Sequence, residues 1–356
     1  MALITGSSTI DWSGISLAQV DFEADLVTYI NRVNQVEDEL NNGSFSVISF
    51  SPTLLVVELF IGGRVTLGGS GFDFTSPLII NSFSFNNPNT GEVLRFSGTL
   101  DGIGNDVLTS ATIGTAGFLE TVIGNIIVPS NFPDPPGNYT ATLKSLVVKI
   151  GSATVTFGGN FSLTGDMASA SLAGTVTGIS VGSGANTINM TGLSLSFDVL
   201  EAALESHDLA SVNDLFSFVG TQMSGNDTIT YTNNSGIGMT FIGGAGNDTI
   251  TISGPNGDTL NGGAGNDQLN GGLGLDTVNG GAGDDRITML VTAGNVDTID
   301  AGADIDTLVL SGVVPGDHVV VVDLSSSTDQ VVSIGGVADA LVQINIENLT
   351  ASGIGS

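Results

Sequence analysis

The chain has 356 residues, enough for two or three domains with cores of their own, and its 41% hydrophobic and 12% charged content excludes the disordered class. Its 51 glycines favour strands and tight turns over helices. Acidic residues number 36 against 6 basic ones, a formal net charge of -30 that repels phosphate backbones and anionic lipid, so no nucleic-acid partner is expected and divalent cations are natural ones.

The lack of cysteine rules out disulfides and thiolate metal sites. No run reaches the about 18 apolar residues of a membrane helix, so membrane insertion is not expected. Met1 to Gly14 also lacks the basic and apolar segments of an N-terminal secretory signal.

From Gln19 to Asn41 the apolar residues Phe22, Leu26, Ile30, Val33, Val36 and Leu40 recur at steps of three and four, predicting an amphipathic helix that Asn41-Asn42-Gly43 ends. Residues 44–196 carry β patterning, as in Leu54 to Phe60, Leu78 to Phe85, Val93 to Leu100, Leu143 to Ile150 and Thr154 to Leu163. The proline-rich turn Phe132 to Gly137 divides this region, and Gly68-Gly69-Ser70 faintly echoes Gly158-Gly159-Asn160 across it. Asp198 followed by Glu201, and Ser211 followed by Asp214, each match a helix-start pattern. They predict two short capping helices, near Val199 to Glu205 and Val212 to Val219, ahead of a solenoid whose open end needs cover.

Three unbroken nonapeptides then run from Gly262 to Thr288, with a fourth good copy at Gly243 to Thr251 and degraded ones at Ser253 to Asn261, Thr292 to Asp300 and Ala301 to Val309. Their glycines are Gly243, Gly244 and Gly246, then Gly262, Gly263 and Gly265, then Gly271, Gly272 and Gly274, then Gly280, Gly281 and Gly283. The sixth position is aspartate at Asp248, Asp258, Asp267, Asp276 and Asp285, at spacings of ten, nine, nine and nine. Asp297 and Asp306 resume the step of nine after an insertion, and Asp227 stands in a fragment upstream. Between His207 and Ile346 there is no glutamate, and Arg286 is the only base. A merely solvated acidic face would mix both acids.

The spacing has a physical reading. Six residues form a turn whose glycines adopt conformations strained for other residues, and three form a strand whose middle residue points inward: Ile250, Leu260, Leu269, Val278, Ile287, Ile299 and Leu308. Two units complete one coil, so turns on one side come from alternate repeats, placing Asp248 near Asp267, Asp258 near Asp276 and Asp267 near Asp285. Stacked carboxylates at strand spacing, about 4.8 Å, repel strongly without a cation. Calcium takes six to eight oxygens at roughly 2.3–2.6 Å, which carboxylates and turn carbonyls supply, whereas magnesium demands tighter octahedral geometry. Several calcium ions are expected, with Asp227, the seven further aspartates and the turn glycines as the metal-binding set, and the roll folds only when they bind.

This pattern resembles the repeats-in-toxin (RTX) family, whose nonapeptide forms a calcium-binding parallel β-roll. The resemblance covers roughly a quarter of the chain, and Ile346-Glu347-Asn348-Leu349-Thr350 is similar to segments flanking such repeats. It implies export by a one-step machine that reads an uncleaved C-terminal signal, hence an extracellular or cell-surface location. The expected class is all-β: a segment with one helix (1–43), a β-rich sandwich or solenoid (44–196), capping helices (197–224), the roll (225–311), and a C-terminal β cap formed by Val319 to Val322, Val331 to Ile334 and Leu341 to Ile346 (312–356).

Catalysis finds little support in the residues. Gly178-Ile179-Ser180-Val181-Gly182 fits a nucleophile-elbow pattern, but a strand entering a loop is the wrong context, and His207 and His318 are the only bases of that kind. A two-carboxylate glycosidase would have to draw on Glu58, Asp73, Glu92, Asp101, Asp106 and Glu120, with Trp12 the only tryptophan for sugar stacking. The sequence therefore points to a secreted calcium-dependent structural protein of a surface layer, fibre or matrix that self-associates. An adhesin is the alternative, and a hydrolase stands third.

Overall fold

The computed structural model describes residues 1–8, 16–17, 20, 45–51, 54–59, 64–70, 79–100, 106–115, 118–128, 139–165, 170–206, 209, 211–290, 297–312, 320–322, 331–334, 337–338 and 343–352. Among these the chain is mostly β, as its composition predicts. It divides into two compact units, one of Ala18–Val181 and Ser194–Asp208, the other of Met1–Leu17, Gly182–Leu193 and Leu209–Ser356. Apart from Val20, the amphipathic helix of 19–41 lies outside the described residues, as do the proline-rich turn of 132–137, Trp12, His207 and His318.

The chain opens with β1 (Leu3–Ser8). The first unit then runs through β2 (Phe45–Ser51), β3 (Leu54–Leu59), β4 (Arg64–Ser70), β5 (Ile79–Asn86), β6 (Glu92–Leu100), β7 (Asp106–Thr115), β8 (Phe118–Val128), β9 (Tyr139–Ile150), β10 (Ala153–Gly165) and β11 (Ala170–Ser183). From β2 to β10 each strand pairs antiparallel with the next. That meander follows from short connections between successive strands, and it differs from the coil-on-coil stacking of a solenoid. Ser180, the candidate elbow serine, lies within β11 and not on a strand-to-helix turn. Glu58, Glu92, Asp106 and Glu120 sit on four different strands, β3, β6, β7 and β8.

A line of β-bulges crosses this sheet. Register shifts fall at Gly68/Gly69 on β4, and next to Ser82, Ser97, Ser110, Ile123 and Gly158, residues that pair with one another or with Ser145 across successive ladders. The inward parity changes across the line: on β9 Ala141 and Leu143 are buried before it, Leu146 and Val148 after it. Both glycine-rich echoes in the sequence fall here, so their likeness marks a shared bulge. Core contacts include Phe83 stacked on its cross-strand partner Phe96 at 5.0 Å between ring centroids.

After β12 (Asn186–Ser196) comes α1 (Phe197–Glu205), two residues earlier than the start predicted at Val199. Asp198 lies in its first turn, and the N-cap is Ser196 without a side-chain bond. Buried Phe197, edge-on to Phe161 at 5.6 Å, pulls the start of the helix forward.

In the second unit, α2 (Val212–Gln222) begins with the predicted capping box between Ser211 and Asp214. The roll follows as β13 (Thr228–Asn233), β14 (Thr240–Ala245), β15 (Thr249–Ser253), β16 (Thr259–Ala264), β17 (Gln268–Asn270), β18 (Thr277–Ala282), β19 (Arg286–Leu290), β20 (Thr298–Ala303) and β21 (Thr307–Ser311). Odd-numbered strands stack parallel in register to form one wall, and even-numbered strands form the other. Ile250, Leu260, Leu269, Val278, Ile287, Ile299 and Leu308 all point into the core at 0–2% exposure, each contributing about 1.5–3 kcal/mol of burial. Only β17 keeps the predicted three-residue length. The even strands reach six because the glycines stay in the ladder, as in Gly244↔Gly263 and Gly263↔Gly281.

The first coil is closed by α2. A Cβ on Gly220 would stand 2.7 Å from that of Ile242, so the helix lies directly on β14. Beneath it Phe216, Tyr231 and Phe241 form an aromatic plug, at 6.4 and 5.6 Å between successive rings. One further strand of the roll comes from far away in sequence: β1 pairs parallel with β13, Ile4 opposite Ile229, and antiparallel with β12. At the other end β22 (Val320–Val322), β23 (Val331–Ile334) and β24 (Val337–Ala338) form a small antiparallel sheet of their own. The roll is extended by β25 (Gln343–Ile344) on β20, within the expected strand Leu341 to Ile346, and by β26 (Asn348–Ser352) on β21.

Candidate metal centre

The glycine turns connect the two walls, and their aspartates fall into two files. Asp227, Asp248, Asp267, Asp285 and Asp306 form one, and Asp258, Asp276 and Asp297 the other, all at 0–2% exposure. In the first file each Oδ1 accepts the backbone N–H of the preceding aspartate: Asp227 N–H to Asp248 at 2.7 Å, Asp248 to Asp267 at 2.7 Å, Asp267 to Asp285 at 2.8 Å and Asp285 to Asp306 at 2.8 Å. The second file repeats this from Asp258 to Asp276 at 2.7 Å and from Asp276 to Asp297 at 3.1 Å. The alternate stacking expected from the spacing is thus realised, with partners 18 to 21 residues apart.

In six of these carboxylates one oxygen is held and the other is not. Oδ2 of Asp227, Asp248, Asp267, Asp276, Asp285 and Asp306 is buried without a hydrogen-bond partner. A buried polar atom left in that state costs about 1–3 kcal/mol, more when charged, so a row of them demands a ligand. Burial, only partly offset by the backbone hydrogen bond, pushes Asp267 up to about 7 and Asp276 and Asp306 to about 6. The neighbouring charges of Asp285 and Asp248 add to the shift at Asp267. Asp248, Asp258 and Asp285 are also raised, chiefly by burial.

The first glycine of each turn makes room for that oxygen. A Cβ at Gly243 would stand 2.5 Å from Asp248 Oδ2 and 2.7 Å from the Gly262 carbonyl oxygen, and Gly262, Gly271 and Gly280 meet Asp267, Asp276 and Asp285 in the same way. The glycine at the fourth position supplies backbone freedom, as at Gly265 with φ +118°. Among the described residues no three carboxylates or histidines close on one point. Each turn instead offers carboxylate oxygen together with peptide carbonyls, a hard-oxygen set that fits calcium.

The ends of the files were not legible in the sequence. Ala2 holds the aspartate register position before Asp227: its N–H donates to Asp227 Oδ1 and its carbonyl accepts from Thr228. Met239 holds the position before Asp258, donating its N–H at 2.8 Å, and the Asn233 amide donates to the same Oδ1 at 2.6 Å. Beyond Asp306 stands Glu347, whose Oε2 accepts the Asp306 N–H at 2.9 Å. Only the short pattern Glu347-Asn348-Leu349, like Asp306-Thr307-Leu308, hints at it.

A parallel roll with an aspartate closing every glycine turn defines a calcium-binding solenoid. The family model of the RTX calcium-binding nonapeptide repeat matches in four copies, over residues 240–251 and 252–287. This stretch is therefore a run of RTX repeats, and such repeats bind calcium. No curated protein and no solved structure matches the chain.

Proposed function

We propose that the chain is a secreted, calcium-dependent structural protein whose roll folds on ions met outside the cell and whose copies then associate into a surface layer, fibre or matrix. The reading rests on six buried, unpartnered carboxylate oxygens in a chain of net charge -30. Asp227, Asp248, Asp258, Asp267, Asp276, Asp285, Asp297 and Asp306, with the carbonyls of the glycine turns, hold the ions. Each bound ion cancels two charges, so loading weakens repulsion between copies while it orders the roll. RTX proteins are generally exported by the one-step route, which accords with a coil that stays unfolded until it meets calcium. Light scattering and negative-stain microscopy during calcium addition test the assembly step. Growth of particles on loading is expected. A folded roll that stays monomeric at high protein concentration removes the structural role and leaves a calcium-dependent adhesin.

A further inference from the structure

The two files of aspartates end differently. The second ends in neutral amides: Asn233 donates to Asp258 Oδ1 at one end, and Gln343 donates its side-chain N–H to the Asp297 carbonyl at the other. Both donors are neutral, so neither end adds charge, although Gln343 Oε1 is itself buried without a partner. The first file ends in an acid. Glu347 occupies the register of the next aspartate, because Asn348 N–H bonds to the Asp306 carbonyl at 2.9 Å just as Thr307 N–H bonds to that of Asp285 at 2.8 Å.

An acid there is costly unless a cation accompanies it. Asp306 is fully buried and its Oδ2 has no partner, while Asp285, Glu347 and Asp284 all bear on it with like charge. Two further departures add charge at the same end. Asp284 takes the place held by Asn226, Asn247 and Asn266 in earlier coils, though an asparagine oxygen accepts the same backbone bond. Asp304 replaces the glycine at the fourth position of the turn and keeps a left-handed backbone, φ +88°. The one base of the roll, Arg286, is exposed on β19.

Resting on the calcium reading of the roll, we infer that Asp306 and Glu347 form a further calcium site outside the matched repeats, closed by a residue of the C-terminal segment. Asp284 and Asp304 supply the surrounding negative field. The ion fastens β26 to the roll, so loading of this site couples the C-terminal strand to calcium. Open to solvent at Glu347, the site fills last, at about 10⁻⁴–10⁻³ M, the range of extracellular calcium modules.

Equilibrium dialysis of the full chain against calcium, with ions counted per chain and circular dichroism on the same samples, tests this. Glu347→Gln keeps an acceptor for the Asp306 N–H but removes the charge. It should bind one ion fewer than the parent, while Glu347→Asp binds the parental number. Asp284→Asn restores the residue of the earlier coils and should weaken only the last-filling site, several-fold. A parent that loads several ions with Glu347→Gln and Asp284→Asn indistinguishable from it overturns the inference and leaves the repeat sites standing. A parent that loads none overturns the calcium reading itself.

Discussion

The antiparallel sheet and the roll are both β-structure with one buried face, yet they bury different things. Around Phe83, Phe96, Leu146, Val155 and Phe157 the sheet encloses hydrocarbon, which needs no further partner. The roll has a thin core, with one inward Ile, Leu or Val recurring at the same position of each repeat, flanked by two files of carboxylates at 0–2% exposure. Water release stabilises the first without help. The second carries a desolvation cost that its own side chains leave unmet, and on the proposed reading an ion offsets it.

The largest expected effect follows from that contrast. Chelation should abolish amide-exchange protection from β13 to β21 and leave β5 to β10 protected. Equal protection in both regions with and without calcium would dissolve the distinction. Core truncations sharpen it next. Phe157→Ala in the sheet should cost about 3–5 kcal/mol whether or not calcium is present, and Leu269→Ala about 2–5 kcal/mol in calcium-loaded protein only. Denaturant melts in calcium and in chelator read both.

Within the roll, Asp267 has an aspartate on each side in its file, whereas Asp227 has Asp248 on one side and Ala2 on the other. Calcium titration should show a loss of about tenfold or more for Asp267→Asn, on the scale of a charge-assisted contact, and a smaller one for Asp227→Asn. Equal losses would contradict the register.

The smallest effect is that of pH, and its sign is opposite to that of an ordinary ion-paired aspartate. Burial raises Asp267 to about 7 and Asp276 and Asp306 to about 6, above the unfolded value of 3.8, so the calcium-free roll binds protons more tightly than the unfolded chain. Its destabilisation is absent below about pH 4, grows as pH rises through 6 to 7 and is complete above. Calcium competes with those protons, so the apparent affinity should rise between pH 5 and pH 8. A pH-independent titration would show that the carboxylates stay ionised throughout.

The roll could be read from the residues alone: its period, the inward aliphatic residues, the alternate stacking of Asp248 on Asp267 and of Asp258 on Asp276, and the capping box at Ser211. Each depends on neighbours within one or two coils, and a repeat writes such contacts out many times over. The antiparallel order of β2 to β10 was legible only as β patterning, because alternation fixes which face is buried and not which strand lies beside which. Tertiary structure alone decided the ends. Ala2 and Ile4 join a coil more than 200 residues along the chain, and Glu347 completes a file of aspartates from outside the repeats. Such pairings are made once, between segments with no shared period, so beyond the short likeness of Glu347-Asn348-Leu349 to Asp306-Thr307-Leu308 nothing local in the chain announces them; they are fixed by which strand edge and which carboxylate the finished roll leaves open.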